Sequence, residues 1–154
     1  MNYSQNQLIE KPIERKRHNN DPEKDVEEKC LLWMRQMNWS VSIFQAKATW
    51  SIEQNVWKAQ GMRAGTPDCV GCTDTGTGVF IEFKALGRRS TFNLEKNYRQ
   101  REFLIEKINH QAFACVVDSA ELLDQTYKKW NYNKQHNWHD QAKDFLMQSL
   151  PQRR

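Results

Sequence analysis

Three side chains near the middle of the chain have the types and the spacing to work on a phosphodiester. Asp68 closes the run Gly65-Thr66-Pro67-Asp68, and Glu82 and Lys84 stand two apart in Val79-Phe80-Ile81-Glu82-Phe83-Lys84. The second run is rich in β-branched and aromatic residues and lacks Gly and Pro, so it reads as a buried strand. Alternation puts Val79, Ile81 and Phe83 on one face and Phe80, Glu82 and Lys84 on the other. Glu82 and Lys84 are then a carboxylate and an ammonium roughly 7 Å apart, at ~3.4 Å per residue. Charges in so apolar a strand are costly unless they pair or bind a metal. Asp68-Cys69-Val70-Gly71-Cys72 reads as a short strand, and Thr73-Asp74-Thr75-Gly76-Thr77-Gly78 as the turn that folds it back. That hairpin brings Asp68 toward Glu82. Paired carboxylates suit a hard octahedral cation, Mg²⁺ or Mn²⁺, with coordination positions left for water and a phosphodiester. Lys84 then orients water or stabilises charge at phosphorus; its ordinary pKa is too high for a base. The bland alternative is a surface salt bridge on an edge strand.

Gly61-Met62-Arg63-Ala64-Gly65-Thr66-Pro67-Asp68, then Ile81-Glu82-Phe83-Lys84-Ala85, then Gln100 on a following helix, resembles the VRR-NUC domain of the PD-(D/E)XK nuclease superfamily. The likeness spans about residues 21–125. It implies a restriction-endonuclease-like α/β core: a mixed central sheet of about four strands flanked by helices, with the site at one end. It also implies a metal-site role for a first-helix glutamate, Glu23 first and Glu27 second, the latter departing from the family pattern. Gln100 matches a family helix glutamine by position and would hold a water or phosphate near Lys84. The activity so implied is Mg²⁺- or Mn²⁺-dependent DNA hydrolysis in replication, recombination or repair. Stand-alone members resemble junction-resolving or nicking enzymes, usually bacterial or phage, that act as homodimers. A sequence-specific restriction or homing enzyme, or a non-catalytic DNA-binding module, is the alternative.

The elements that must position these residues follow in order. Asp21-Pro22 is a helix start, and Val26, Cys30, Trp33, Met34 and Met37 recur at helical spacing, predicting a helix from Pro22 to about Met37. Trp39, Val41 and Ile43 alternate along a strand. Residues 46–60 have no clear assignment; Trp50 and Trp57 there are either base-stacking platforms or ordinary loop packing. From Lys84 to Arg101, six basic side chains face one acid, Glu95. Arg88, Arg89, Lys96 and Arg99, with Arg63 before the Asp68 motif, are therefore the candidate DNA contacts. Leu94, Tyr98, Leu104, Ile105 and Ile108 predict an amphipathic helix, and Phe113-Ala114-Cys115-Val116-Val117 a buried strand parallel to the central one. Asp118-Ser119-Ala120-Glu121 caps a helix with Leu122, Leu123, Tyr127 and Trp130 inward.

The 154 residues and net charge of +4 suit one domain that can meet nucleic acid without requiring it. A mean hydropathy of −0.90 points to polar ends around a more apolar middle. Residues 1–20 read as a basic, polar arm, 21–130 as the nuclease-like domain, and 131–154 as a polar linker followed by a short helix. No apolar run approaches the ~18 residues of a membrane span, and no leader opens the chain, so a cytoplasmic protein without a membrane partner is expected. Four cysteines in that setting are expected to be free thiols; Cys69 and Cys72 have CxxC spacing without a second pair.

Overall fold

The computed structural model describes residues 21–44, 48–51, 56–59, 65–93 and 97–152. The expected basic arm, Arg63 and Lys96 lie outside them. The chain runs through α1 (Pro22–Gln36), β1 (Ser40–Ile43), β2 (Ala48–Ser51), β3 (Val56–Ala59), β4 (Cys69–Cys72), β5 (Gly78–Phe83), a 3₁₀ turn (Arg89–Asn93), α2 (Tyr98–Asn109), β6 (Phe113–Val117), α3 (Ala120–Gln135) and α4 (His139–Ser149). Four strands form one sheet in the order β1-β4-β5-β6. The β1–β4 and β4–β5 pairs are antiparallel and β5–β6 is parallel, joined by the α2 crossover. This is an α/β fold with a mixed four-stranded sheet, as expected. β2 and β3 pair only with each other, Trp50 opposite Trp57; their side chains lie outside the described set.

Local chemistry accounts for the element ends. Asp21 caps α1 by accepting the Glu23 N–H at 3.1 Å, and Ser119 caps α3 by accepting the Leu122 N–H at 3.2 Å. In the β4 interior, Gly71 lies so close to β1 that a Cβ would stand 2.1 Å from the Ser40 carbonyl oxygen. Only glycine admits that pairing.

Strand register sorts the core into two faces. Val79, Ile81 and Phe83 share a face with Cys69, Phe113, Cys115 and Val117, all buried. That face takes α1 through Val26, Cys30 and Met34, and α3 through Leu123, Tyr127 and Trp130. An aromatic cluster seals it: Trp39 and Phe113 contact Tyr127 edge to face, with centroids 4.7 and 5.4 Å away. Each such pair adds about 0.5–1.5 kcal/mol beyond area burial. The opposite face carries Phe80, Glu82, Ala114 and Val116 and is covered by α2, with Phe80 packed on Phe103 at 5.8 Å. All four cysteines are free thiols, and burial pushes that of Cys69 up to about 12.

The C-terminal region departs from the linker expected at residue 131. α3 continues to Gln135, and α4 follows after a three-residue corner. Ala142, Leu146 and Leu150 are buried against α2, α3 and β6. The apolar stripe on α4 is part of the core, which removes the linker. Among the described residues no helix is long and apolar enough to cross a membrane.

Candidate active site

Register alone places the first two acids. Cys69 pairs with Ile81, so Asp68 and Glu82 stand opposite each other one step further, on the α2 face. Asp68 is then fixed from both sides. Its carboxylate Oδ2 accepts the Phe83 N–H at 2.9 Å, and its carbonyl accepts the Phe44 N–H at 2.7 Å. The Lys84 N–H continues the ladder onto the Val117 carbonyl at 2.9 Å, so the Lys84 side chain leaves the sheet beside Glu82.

Glu82 is the centre of the group. It is 1 % exposed, the only acidic or basic side chain buried in the core among the described residues. Its Oε1 accepts two donors, Lys84 Nζ at 2.6 Å and Gln100 Nε2 at 2.8 Å. Its Oε2 is buried with no hydrogen-bond partner. Leaving such an oxygen unmatched costs about 1–3 kcal/mol, more when it is charged. Burial first, then the charge of the neighbouring Asp68 carboxylate and a hydrogen bond between the two acids, raise the Glu82 pKa from 4.5 to about 7 against the pull of Lys84; the protonated acid can donate to Asp68, so Oε2 is unmatched in the ionised form. Burial by itself would lower the Lys84 pKa, but the charge and hydrogen bond of Glu82, with Glu23 and Asp68 behind, raise it overall. Lys84 is therefore a held cation at neutral pH.

The first helix joins the same field. The Glu23 carboxyl is raised by burial and by Asp68, against Lys84; Glu27 is raised by burial and then by Asp68. Both acids of α1 thus face the Asp68–Glu82 end of the sheet, with Glu23 the one coupled to Lys84.

Gln100 is carried to Glu82 by a contact that the spacing of residues does not announce. Gly65 adopts φ 92°, and a Cβ there would lie 2.4 Å from the Arg99 carbonyl oxygen of α2. The segment leading to Asp68 and the residue before Gln100 therefore touch backbone to backbone. Asp118, read from sequence only as part of a helix cap, instead accepts the Gly87 N–H at 3.0 Å and pins the turn beside Lys84. Both roles depend on partners far away in the chain, which local spacing does not encode.

The basic candidates separate. Arg88, after β5, and Arg99, next to Gln100 on α2, are exposed. Arg89 is not a free loop cation: its Nε donates to the Val116 carbonyl at 3.0 Å and its Nη2 to the Ser149 carbonyl at 2.7 Å. Val117 turns its carbonyl toward β5, so that of Val116 points to the open edge of the sheet. Arg89 covers this edge and ties it to the end of α4, a structural task that replaces the DNA contact expected of it.

The donor set fits a hard divalent cation. It is all oxygen, two of its carboxylates are held by backbone or amide donors, and one buried oxygen lacks a partner. Among the described residues no group of three or more His, Cys, Asp or Glu forms a ready metal cage; a cation that keeps its waters needs only one or two carboxylates. A cavity of ≈ 210 Å³ between α2, α3 and α4 is lined by Ile108, Trp130, Lys134 and Leu146, among others, and lies apart from these groups.

No protein-family model, curated protein or solved structure matches the chain. The class that fold and site define on their own is an α/β domain whose mixed sheet carries an acid–acid–lysine–glutamine group at one end.

Proposed function

We propose that the chain is a divalent-metal-dependent DNA endonuclease of the VRR-NUC kind, structure-selective as a junction-resolving or nicking enzyme and acting as a homodimer. One observation carries the reading. A buried carboxylate, Glu82, is shared by Lys84 and Gln100 on one oxygen, lies beside Asp68, and when ionised leaves its second oxygen unmatched. A structural ion pair has no use for that second oxygen or for a second acid next to it.

Asp68 and Glu82 would hold Mg²⁺ or Mn²⁺, with Glu23, and behind it Glu27, completing the acidic wall. Such an ion, when bound, supplies Lewis acidity toward a phosphodiester oxygen and a more acidic water. The chain's own groups do the rest. The Phe83 N–H fixes the Asp68 carboxylate, and Gln100 orients Glu82. Lys84 presents a protonated Nζ that stabilises the charge developing on phosphorus. Arg88 and Arg99, with Arg63 and Lys96, hold the flanking phosphates.

The test is incubation of the purified protein with a four-way junction, a flap, linear duplex and single-stranded DNA, with and without Mn²⁺. Metal-dependent cutting of the branched substrates is expected. Lys84→Ala is expected to slow cutting by at least about 100-fold while changing DNA affinity little, as one phosphate contact among several. Cutting by that variant at the parent rate would sink the assignment. Cleavage confined to one duplex sequence would move it to the restriction class, and binding without cutting under any metal would leave a DNA-binding module.

A further inference from the structure

Residues 125–139 contain three lysines, Lys128, Lys129 and Lys134, and no aspartate or glutamate. The same stretch carries a ladder of rings on the outside of the α3–α4 corner. Tyr132 and His136 lie 4.1 Å apart with planes inclined at 36°, His136 and Trp138 5.3 Å apart at 35°, and Tyr132 and Trp138 meet edge to face at 6.0 Å and 71°. Tyr132 and His136 are four residues apart on one helix face. Asn137 then takes φ 59°, and Trp138 folds back with its N–H on the Asn133 carbonyl at 2.9 Å. A helix end of this type is closed by a single apolar contact. Three rings exceed that need, and closure does not bury them: Tyr132 stays 53 % exposed and Trp138 44 %. One turn back on the Tyr132 face stand Lys128, 2.7 Å from Asp124, and Lys129, whose ammonium lies 4.7 Å over the Phe145 ring. Both are exposed.

We propose that this ladder is a stacking platform for unpaired nucleobases, with the neighbouring lysines taking the phosphates of the same strand. Aromatic faces beside cations bind single strands with little regard to sequence, because every base offers a π-face and every linkage a charge. A duplex keeps its base faces covered, so the platform selects unpaired DNA. Lys128, Lys129 and Lys134 outnumber the flanking Asp124 and Asp140, so the stretch keeps a small net positive charge toward a polyanion. α3 starts beside the Lys84 end of the sheet and runs 16 residues away from it, about 24 Å at ~1.5 Å per residue. The ladder therefore sits at the far end of the molecule from Glu82. The inference rests on the nuclease reading for its substrate: it narrows that substrate to DNA with an unpaired arm, gripped at one end and cut at the other.

The experiment uses the full chain in EDTA, so that binding is read without cleavage. A labelled thymidine oligonucleotide of about 20 nucleotides, longer than one stacking site, is titrated by anisotropy and by quenching of tryptophan fluorescence. Tyr132→Ala and Trp138→Ala should each weaken it by about 5- to 100-fold, with duplex binding little changed. Trp138→Phe should bind nearly as the parent does but lose most of the quench. Thermal melts accompany every variant, and exposed Tyr132 decides the matter if Trp138→Ala unfolds. Unchanged oligonucleotide affinity in Tyr132→Ala overturns the platform. So does sedimentation in which Trp138→Ala turns a dimer into a monomer, because the rings then belong to a second copy. Protein that binds the oligonucleotide through the ladder yet cuts no DNA sinks the nuclease reading alone. Protein that cuts branched DNA but ignores the oligonucleotide sinks the platform alone.

Discussion

Glu82 lowers the stability of the metal-free fold near neutral pH, in a way that can be measured. Burial and Asp68 raise its carboxyl from 4.5 to about 7, so between those values the unfolded chain releases a proton that the folded chain keeps. The stability tied to this group is whole below about 4.5 and is lost as pH rises through about 7, on the order of 3 kcal/mol in all. Glu82→Gln keeps an acceptor for Lys84 and Gln100 and removes the buried charge. Without metal it is expected to raise the urea midpoint at pH 8, by about 1–3 kcal/mol of stability, and to gain less than about 1 kcal/mol at pH 5. Cleavage should vanish with it. Mn²⁺ should reverse the order by stabilising the parent alone. A variant that gains equally at both pH values would mean that Glu82 is folded as an ordinary ionised acid.

At the scale of elements, the site depends on the contact between the segment before β4 and helix α2. Gly65 and Gly76 both have positive φ, but only Gly65 has backbone within reach of an added Cβ; Gly76 has nothing within 4 Å. Gly76→Ala should therefore cost only the left-handed backbone penalty of about 1–2 kcal/mol. Gly65→Ala should cost more and should also cut activity, since α2 must shift and take Gln100 from Glu82. Equal losses in melting temperature and activity for the two variants would remove that contact from the argument. The loop after β5 offers a second contrast. Arg88→Ala should reduce the salt dependence of DNA binding by about one phosphate contact and leave stability alone. Arg89→Ala, which strips donors from Val116 and Ser149, should cost about 1.5–3 kcal/mol with little change in salt slope. Urea melts and binding at several salt concentrations separate them.

For the whole molecule, α4 decides where the domain ends. Leu146 and Leu150 are 0 % and 1 % exposed, and burying each is worth about 1.5–3 kcal/mol. A chain ending at Asn137 should lose at least about 3 kcal/mol and expose the β6 edge that Arg89 and α4 now cover. An urea curve matching that of the full chain would make α4 an appendage. From sequence, residues 131–154 read as a polar linker followed by a short helix; the short helix is present, but residues 131–135 belong to α3. Asn131, Tyr132 and Asn133 are individually weak helix signals, and Trp130 packed in the core carries the helix past them.

Asp68, Glu82 and Lys84 were legible because each follows from local rules: alternation along β5, a turn at residues 73–78, and the register that a hairpin imposes. Those rules need only neighbours in the chain. The state of the same groups was not legible. That Glu82 keeps an unmatched oxygen, that Lys84 stays charged, that Arg89 serves the backbone and that Gly65 lies against Arg99 all depend on how deeply each group is taken from water and on partners brought together from distant residues. Desolvation and close approach exist only once the sheet and helices have packed, so the types and order of the reacting groups were set by the amino-acid sequence, and their charge and freedom by the tertiary fold.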